Sequence, residues 1–469
     1  MKRRDAVRLI PLSIASIAGM SQKVFAGEKL LKKPGARHSE PLAIQYTKKV
    51  RKRLAWIREN QTENLMEASY AIARTVQNGG QCYQSGWDAG HTEADSWPGR
   101  NGEPEIFSTR LDIKKARKGD LILAASQMRY NEDIRKKQIF LVACPSPWSG
   151  DAKYSELLSD DVRELTLKEY ADIWIENQAT TLGGIMYVPG MPAPIGPVSG
   201  VAGKTTIWMM LADACRILAR RGISLTIKGD EPKVTGDNVD WRSFSGWESL
   251  NDPLMDNYFH EVIRQIDLIG AELGTIRKIA KMAVDSVLSG GKIYGYSLHN
   301  SIAGEASTRR SGLSMTQGIY GSTLDTEEKR RNFKGTSKDC VIMGITKPDD
   351  ETDLMFLDLF KKRGMKTASF GPMTRSIKVP EGRTVPKETD LHAGRMCDTY
   401  GLFALPGLDQ RICPTSGVLL DQLFWATMME VVEQYIERTG GDVPGVFFSA
   451  ALKGGREHMY RMLELYRER

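Results

Sequence analysis

Apolar residues in the first part of the chain alternate between helical spacing and short continuous runs. Between positions 46 and 76 they recur every three or four residues, which predicts one long or two shorter amphipathic helices. Asn78-Gly79-Gly80 follows and supplies glycine for a left-handed helix end. Short apolar runs between helical segments favour a parallel sheet with helices on both faces. The runs predicted as strands lie at 81–84, 121–125, 139–144 and 172–175.

The same order of elements returns in the second half. A helical stripe covers 259–284, and a serine and two glycines at 289–291 stop it. Strands are predicted at 292–296 and 340–344, and a helix and a further strand are predicted up to position 370. The chain therefore contains two similar α/β patterns.

One short motif marks this repetition. The sequence GPVSGV at 196–201 is echoed by CPTSGV at 413–418, and each copy precedes an apolar helix pattern. The prolines of the two copies are 414 − 197 = 217 residues apart, and Asp120 and Asp339, which each enter a strand, are 339 − 120 = 219 apart. This spacing predicts an internal duplication, with chance similarity of two α/β patterns as the alternative. The predicted segments are an export signal at 1–26, a linker at 27–41, a first domain at 42–225, a connection at 226–253 and a second domain at 254–469.

The first copy overlaps a sequence that is similar to a phosphate-binding P-loop. Gly203, Lys204 and the next threonine fit that loop, but it also needs a glycine five residues before Gly203, where Val198 stands. An ATPase is therefore not favoured. We expect Ser199, and Ser416 in the second copy, to cap the helices that begin there.

Composition narrows the choice of function. The chain is 41% hydrophobic and 26% charged, as in ordinary globular proteins. Its net charge is +7, of which the first 26 residues contribute +4, so the remaining charge is too small to indicate a nucleic-acid partner. The six cysteines show no CxxC or close Cys/His spacing, so neither a metal site nor a disulfide framework is predicted.

The N-terminus has the order of an export signal. Adjacent arginines at 3 and 4 precede an apolar stretch at 9–20, and small residues at 24 and 26 flank a cleavage site before Gly27. The paired arginines resemble a twin-arginine (Tat) signal, which implies a bacterial, periplasmic or otherwise exported protein. A basic amphipathic N-terminus that stays attached is the alternative. The apolar stretch is too short to span a bilayer, and no stable membrane span is expected after signal removal.

Four parts of the chain together resemble the SIS (sugar isomerase) domain family: 46–80, 119–126, 196–222, and a tail with VFFS at 446–449 and GGREH at 454–458. The resemblance covers nearly the whole mature chain. It implies two flavodoxin-like αβα sandwich domains with parallel sheets, packed as an intramolecular pseudo-dimer. It also implies a sugar or phosphosugar ligand, held by Ser and Thr hydroxyls and by loop amides at the strand ends.

The family's functional positions match this chain only in part. The serine of the first loop aligns with Gly90 in the first half and with Ser301 in the second, and the phosphate loops read SQMR at 126–129 and TKPD at 346–349. Acidic residues at 349–351 would repel a phosphate dianion. The candidate ligand-binding residues are Ser85, Gly86, Gly90, Ser126, Asn131, Ser199, Ser297, Ser301, Thr346, Thr352 and Ser416.

Three functions are left open. The leading hypothesis is an exported protein that binds a sugar derivative or a phosphosugar, without metal or cofactor. The second is an aldose–ketose isomerase whose general base is His91, Asp95, Glu305 or His458, although Glu305 on a predicted helix is more typical of a solvated residue. The third is a scaffold with eroded loops that binds a protein partner. Whether copies of the chain associate is also left open.

Overall fold

A computed structural model provides the structure of the chain. Among the candidate residues, Gly86, Gly90, His91, Asp95 and Ser126 lie outside the described residues, as do the export signal and most of the linker. The structure describes residues 40–85, 102–108, 113–124, 131–144, 167–180, 182–228, 251–307, 309–374, 380–395, 397, 401–408, 410–449 and 452–466.

The first half opens with two helices, as the helical spacing predicts, and then forms a sheet. The last long helix of this half, α5 at Ser199–Arg220, is buried along most of its length, which explains its nearly continuous apolar sequence. In chain order the elements are α1 Leu42–Asn60, α2 Thr62–Gln77, β1 Cys82–Ser85, β2 Glu103–Pro104, β3 Phe107–Ser108, β4 Leu121–Ala124, α3 Glu132–Lys136, β5 Phe140–Ala143, α4 Leu167–Tyr170, β6 Ile173–Trp174, β7 Gly184–Met186, β8 Ile195–Pro197, α5 Ser199–Arg220 and β9 Ile227–Lys228.

The second half repeats this order. The predicted helical stripe at 259–284 is divided in two, because a 3₁₀ turn at Leu268–Glu272 interrupts it. In chain order the elements are α6 Leu254–Asp267, α7 Leu273–Leu288, β10 Ile293–Ser297, α8 Ile302–Glu305, β11 Thr316–Tyr320, α9 Glu327–Asn332, β12 Cys340–Gly344, α10 Glu351–Lys362, β13 Lys366–Phe370, α11 Val385–Glu388, β14 Leu391–Ala393, α12 Ser416–Thr439 and α13 Gly455–Tyr466.

Both main sheets are parallel and have the same strand order. The first runs β3-β1-β4-β5-β6 and the second β11-β10-β12-β13-β14, so each reads 2-1-3-4-5 along its own part of the chain. This is the flavodoxin-like, doubly wound order, in which ligands bind at the carboxyl ends of the strands near the first strand. The α/β fold with parallel sheets is therefore confirmed. Two small antiparallel pairs, β2–β9 and β7–β8, lie outside these sheets.

Each main sheet is covered on both faces. In β4, Leu121 and Leu123 face a core that both halves share, whereas Ile122 faces a separate cluster on the other side. In β12, Ile342 faces the shared core and Val341 faces the cluster that α10 covers. Alternation along each strand thus builds a layer of helices on either side.

The helices of the shared core cross between the halves. Helix α1 packs against α12, α6 packs against α5, and α5 and α12 pack against each other. Carboxylates on the two long helices accept hydrogen bonds from backbone N–H groups in the first turn of the helix opposite. Glu430 accepts from Ala43 (3.1 Å), and Asp213 accepts from Leu254 (2.7 Å). These carboxylates stabilise the positive ends of α1 and α6. None of the described helices is long and apolar enough to cross a membrane.

The turn before each first strand has the same construction in both halves. Asp120 accepts a hydrogen bond from the Gln81 N–H (2.8 Å), and Asp339 accepts one from the Lys292 N–H (2.7 Å). A Cβ at Gly291 would lie 2.1 Å from the Lys338 carbonyl oxygen. A Cβ at Gly80 would likewise collide with the backbone segment that passes beside it. Glycine is therefore required at both predicted helix stops, because the chain passes close to a second backbone segment there.

We expect Gly291→Ala to lower the free energy of unfolding by about 1–3 kcal/mol, because the added methyl forces two backbone segments apart. Gly274→Ala is the matched control, since a Cβ at that helical position meets no atom within 4 Å. It should leave stability unchanged or raise it by up to about 1 kcal/mol. Urea denaturation of the two variants makes the comparison, and wild-type stability of Gly291→Ala would contradict it.

Candidate functional site

The loop after β10 is built by hydrogen bonds among its own residues. The Ser297 hydroxyl donates to the Asn300 carbonyl (2.8 Å) and accepts from the Ala303 N–H (3.0 Å). The Asn300 amide donates to the carbonyl of Gly344 at the end of the neighbouring strand (2.7 Å) and accepts from the Ile302 N–H (3.0 Å). Ser297 and Asn300 therefore fix the loop, and their polar groups are largely used within it.

Three glycines let the short helix α8 lie directly on the sheet. Gly295 and Gly318 are register partners on β10 and β11, and Gly344 pairs with Ser297 on the other side. A Cβ on Gly318 would lie 2.0 Å from the Ala303 carbonyl oxygen, and one on Gly295 or Gly344 would also collide with the helix or its loop. This glycine floor brings the helix that carries Glu305 down to the strand ends.

A buried ion pair joins this loop to both halves of the chain. The Lys204 ammonium on α5 donates to Asp421 Oδ2 on α12 (2.6 Å) and to the hydroxyl of Ser301. Ser301 in turn donates to Asp421 Oδ1 (2.5 Å). The side chains of Lys204 and Asp421 are fully buried. Burial raises the pKa of the Asp421 carboxyl above its ordinary value, against the opposing attraction of Lys204.

A second set of charges lies beside the first. Glu305 is 2% exposed, so the expectation of a solvated side chain was wrong. Its Oε2 accepts from the indole N–H of Trp425 (2.7 Å) and lies 3.2 Å from Arg309 Nε. The Arg309 guanidinium also donates to the Ser199 hydroxyl (2.5 Å). The loop and the two long helices thus meet in one compact group of paired charges.

Lys204 and Asp421 stand at equivalent places in the two halves. Their separation, 421 − 204 = 217, is the same as that of the two motif prolines. The phenol of Tyr46 donates to the Pro197 carbonyl (2.7 Å), and that of Tyr258 donates to the Pro414 carbonyl (3.2 Å). The P-loop comparison missed the role of Lys204. The sequence did contain this information. The offset of 217 residues, applied to Lys204 in one apolar helix pattern, leads to Asp421 in the other.

The two motif serines do not cap their helices, so that expectation was wrong. The N-cap residues are Val198 and Thr415, and neither makes a side-chain capping bond. Ser199 and Ser416 are instead the first residues of α5 and α12. Their backbones are already helical, which leaves the Ser199 hydroxyl to accept from Arg309.

The loop after β12 lies at the same edge of the second sheet. Thr346 is buried, and Thr352 is half-buried in the first turn of α10. Asp350 caps this helix, since its Oδ1 accepts from the N–H groups of Thr352 (2.9 Å) and Asp353 (3.1 Å). A carboxylate thus already occupies the start of α10.

The other described candidates lie apart from this group. Asn131 caps α3 at the edge of the first sheet, where its side chain accepts from the Asp133 N–H (2.9 Å). The His458 ring contacts the Val446 carbonyl through Nε2 (2.8 Å) and stacks on Phe448, with ring centroids 3.7 Å apart. His458 therefore anchors α13 to the strand-like segment beside it.

The equivalent position in the first sheet is built differently. Strand register places Gln84 where the second sheet has Gly295, because Cys82 pairs with Leu121 as Ile293 pairs with Cys340. Gln84 is 2% exposed, and neither polar atom of its amide has a hydrogen-bond partner among the residues that the structure describes. Only the second sheet has the glycine floor among the described residues.

Ionisable side chains at this site pair with one another rather than surround a metal. Within the described part of the chain, no group of three or more His, Cys, Asp or Glu side chains is arranged to hold a metal ion.

Comparisons with known proteins give distant similarities. No protein-family model matches the chain. A UPF0309 protein of Geobacillus thermodenitrificans (strain NG80-2) is 23% identical over 209 residues, which cover 38% of this chain and 84% of that protein. The C-terminal domain of glucosamine-fructose-6-phosphate aminotransferase from Francisella tularensis is 12% identical, with a TM-score of 0.43 and coverage of 88% of this chain and 100% of that one. A candidate phosphosugar isomerase from Clostridium difficile 630 is 10% identical, with a TM-score of 0.46 and coverage of 90% and 98%.

Removing one member of the buried pair should be costly. We expect Lys204→Met to lower the free energy of unfolding by about 3–5 kcal/mol, because it leaves a buried carboxylate without its cation. The double variant Lys204→Met/Asp421→Leu should recover much of that loss. Lys329→Met, which breaks an exposed pair with Asp325, is the control and should cost less than about 1 kcal/mol. Urea denaturation measures the free energy of unfolding of both single variants and of the double variant. If the effects of the single substitutions simply add up in the double variant, Lys204 and Asp421 are not coupled.

Stability should depend on pH through His458. Desolvation lowers the pKa of its imidazole in the folded chain, so the unfolded chain binds a proton first as the pH falls. Its contribution to stability is present above about pH 6.5 and is lost below it. We expect the midpoint temperature of thermal unfolding to decrease as the pH is lowered from 7.5 to 5.5. The decrease should be smaller in His458→Asn. An identical fall in both proteins would show that His458 makes no such contribution.

Proposed function

We propose that the chain is an SIS-type protein that binds a sugar derivative at the carboxyl edge of the second sheet. One observation carries this proposal. Ser301 and Glu305, from the loop after the first strand, meet Lys204, Asp421 and Arg309 at the edge where flavodoxin-like sheets bind ligands. Ser199 and Arg309 form the more exposed side of this group and are the groups that a ligand would reach first.

The proposal includes an origin by duplication, with domains at 42–225 and 254–469. Equal strand orders, paired helix-end carboxylates and the offset of 217 residues support it. The similarity to the UPF0309 protein also supports it, since that match takes in most of the relative but less than half of this chain. Each domain would then correspond to one ancestral subunit.

We also propose export through the twin-arginine route, on the basis of the N-terminal sequence. Arginine pairs are required for that route, so replacing Arg3 and Arg4 by lysine should retain the full-length chain in the cytoplasm. Fractionation of cells that express the tagged chain tests this. Unchanged export of the double variant would contradict the route.

An aldose–ketose isomerase is the second candidate, and the position of Glu305 favours it. A general base must be held in one orientation, and Trp425 and Arg309 hold this carboxylate from two sides. An isomerase would exchange the C2 proton of a bound sugar with solvent deuterium. Absence of exchange in every sugar that binds would leave binding as the function.

Sugar binding should depend on the charge of Glu305. In a panel of sugars and sugar phosphates we expect at least one to raise the unfolding temperature of the chain. Glu305→Gln keeps the shape of the side chain and an acceptor for Trp425. It should weaken the binding of that sugar by about tenfold, the effect of losing a charged hydrogen bond. Glu327→Gln on the exposed helix α9 is the control. No response to any sugar from the folded chain would refute the proposed function.

A further inference from the structure

Basic side chains are concentrated at the amino edge of the second sheet, at the opposite end of its strands from the candidate site. The runs 331–338 and 361–366 hold seven lysines and arginines and no aspartate or glutamate. Lys338 lies two residues before β12, and Lys366 is the first residue of β13 and the register partner of Cys340. Since the strands are parallel, both runs lie at the same edge of the sheet.

Close contacts join these two runs into one surface. The Arg363 guanidinium donates to the Arg331 carbonyl (2.7 Å), and a Cβ on Gly364 would lie 3.2 Å from the Ser337 Cβ. Five of the seven cations are exposed and pair with no carboxylate among the residues that the structure describes: Arg331, Lys334, Lys338, Lys362 and Lys366.

Stabilisation of the fold accounts for the other two cations only. Arg363 donates to a carbonyl in the last turn of α9, where positive charge is favourable, and Lys361 lies 3.5 Å from Glu388. The aspartate next to these runs, Asp339, is 4% exposed, and its carboxylate accepts from two backbone N–H groups at 2.7 Å each. It is therefore directed into the turn and away from the exposed lysines.

The first sheet has the same feature at its own amino edge. The runs 113–118 and 135–137 also hold seven lysines and arginines and no acidic residue. The Lys137 ammonium joins them by donating to the carbonyls of Ile113 (2.7 Å) and Ala116 (3.0 Å), much as Arg363 joins the runs of the second half. We call these four runs the basic edges. Both halves have one, although their carboxyl edges differ.

Most of the positive charge of the chain lies in the basic edges. Without the first 26 residues and these fourteen cations, the net charge would be 7 − 4 − 14 = −11. The rest of the chain is therefore acidic, so the small overall charge conceals two strongly positive surfaces. Such surfaces attract polyanions.

Among polyanions, a lipid surface fits the basic edges best. Ten of the fourteen cations are lysines, which act as point charges on a diffuse layer of lipid phosphates and are depleted in protein interfaces. The aromatic residue of these runs, Phe333, packs against Tyr294 with ring centroids 5.7 Å apart. It is therefore not a free platform on which nucleic-acid bases could stack.

We propose that the basic edges bind the chain peripherally to a membrane surface rich in anionic phospholipids. This inference goes beyond the proposed sugar binding and does not depend on it. The amino and carboxyl edges lie at opposite ends of parallel strands, so binding through a basic edge leaves the candidate site of that sheet on the side away from the lipid.

Co-sedimentation of the full chain with vesicles tests the inference. The chain should bind vesicles that contain one quarter phosphatidylglycerol about tenfold more tightly than vesicles of phosphatidylcholine alone. Salt at about 1 M should abolish the difference, because charges are then screened beyond about 3 Å. Equal binding to the two kinds of vesicle would overturn the inference. Tighter binding to duplex DNA at the same phosphate concentration would overturn it in favour of a nucleic-acid partner.

Two triple variants locate the binding surface. Replacement of three exposed lysines of the second basic edge should weaken binding to the anionic vesicles by about tenfold: Lys334→Gln, Lys338→Gln and Lys366→Gln. Arginine at the same positions should keep the wild-type binding, since it keeps the charge. The control removes equal charge from exposed lysines elsewhere and should bind as the wild type does: Lys52→Gln, Lys278→Gln and Lys453→Gln.

Both triple variants keep the basic N-terminal segment, so its contribution to binding is the same in each. The substituted side chains are exposed, and we expect wild-type unfolding temperatures for both variants. Equal binding of the two glutamine variants to the anionic vesicles would contradict the role of the basic edge.

Discussion

The buried pair between Lys204 and Asp421 is the interaction on which the arrangement of the site depends. The two residues hold equivalent positions on the two long helices of the shared core, and both are completely buried. Two identical subunits related by symmetry would place the same residue at both positions, and like charges would then face each other. The duplication that we propose removes this restriction, because each copy can change its residue independently.

That asymmetry extends to the strand-end loops. Ser301 of the second half joins the pair, and its loop lies on the glycine floor. In the first half, the buried Gln84 occupies the register position of Gly295, so the described part of that sheet has no matching glycine floor. The charged pair therefore supports the loop after β10. The difference between the two sheets at this position lies in the side chains and not in the fold, since both sheets have the same strand order.

Much of the fold could be predicted from local pattern. Helical spacing, the glycine stops and the aspartates before the strands all act over a few residues, and each occurs twice. The site was less predictable because its contacts join distant positions. One partner of Glu305, Arg309, is four residues away, but the other, Trp425, is 120 residues away, so the local sequence did not show that this carboxylate is buried. The capping prediction for Ser199 failed because the helix begins at that serine rather than after it.

A residue of the first half, Lys204, holds the loop after β10 in the second half through its hydrogen bond to Ser301. Amide hydrogen exchange in the intact chain tests it most directly. The amides of Ile302 and Ala303 are hydrogen-bonded to side chains of the loop, so they should exchange slowly in the wild type. In Lys204→Met we predict faster exchange at these amides and wild-type rates in strand β13. Unchanged protection of the loop, or an equal loss in β13, would contradict the claim.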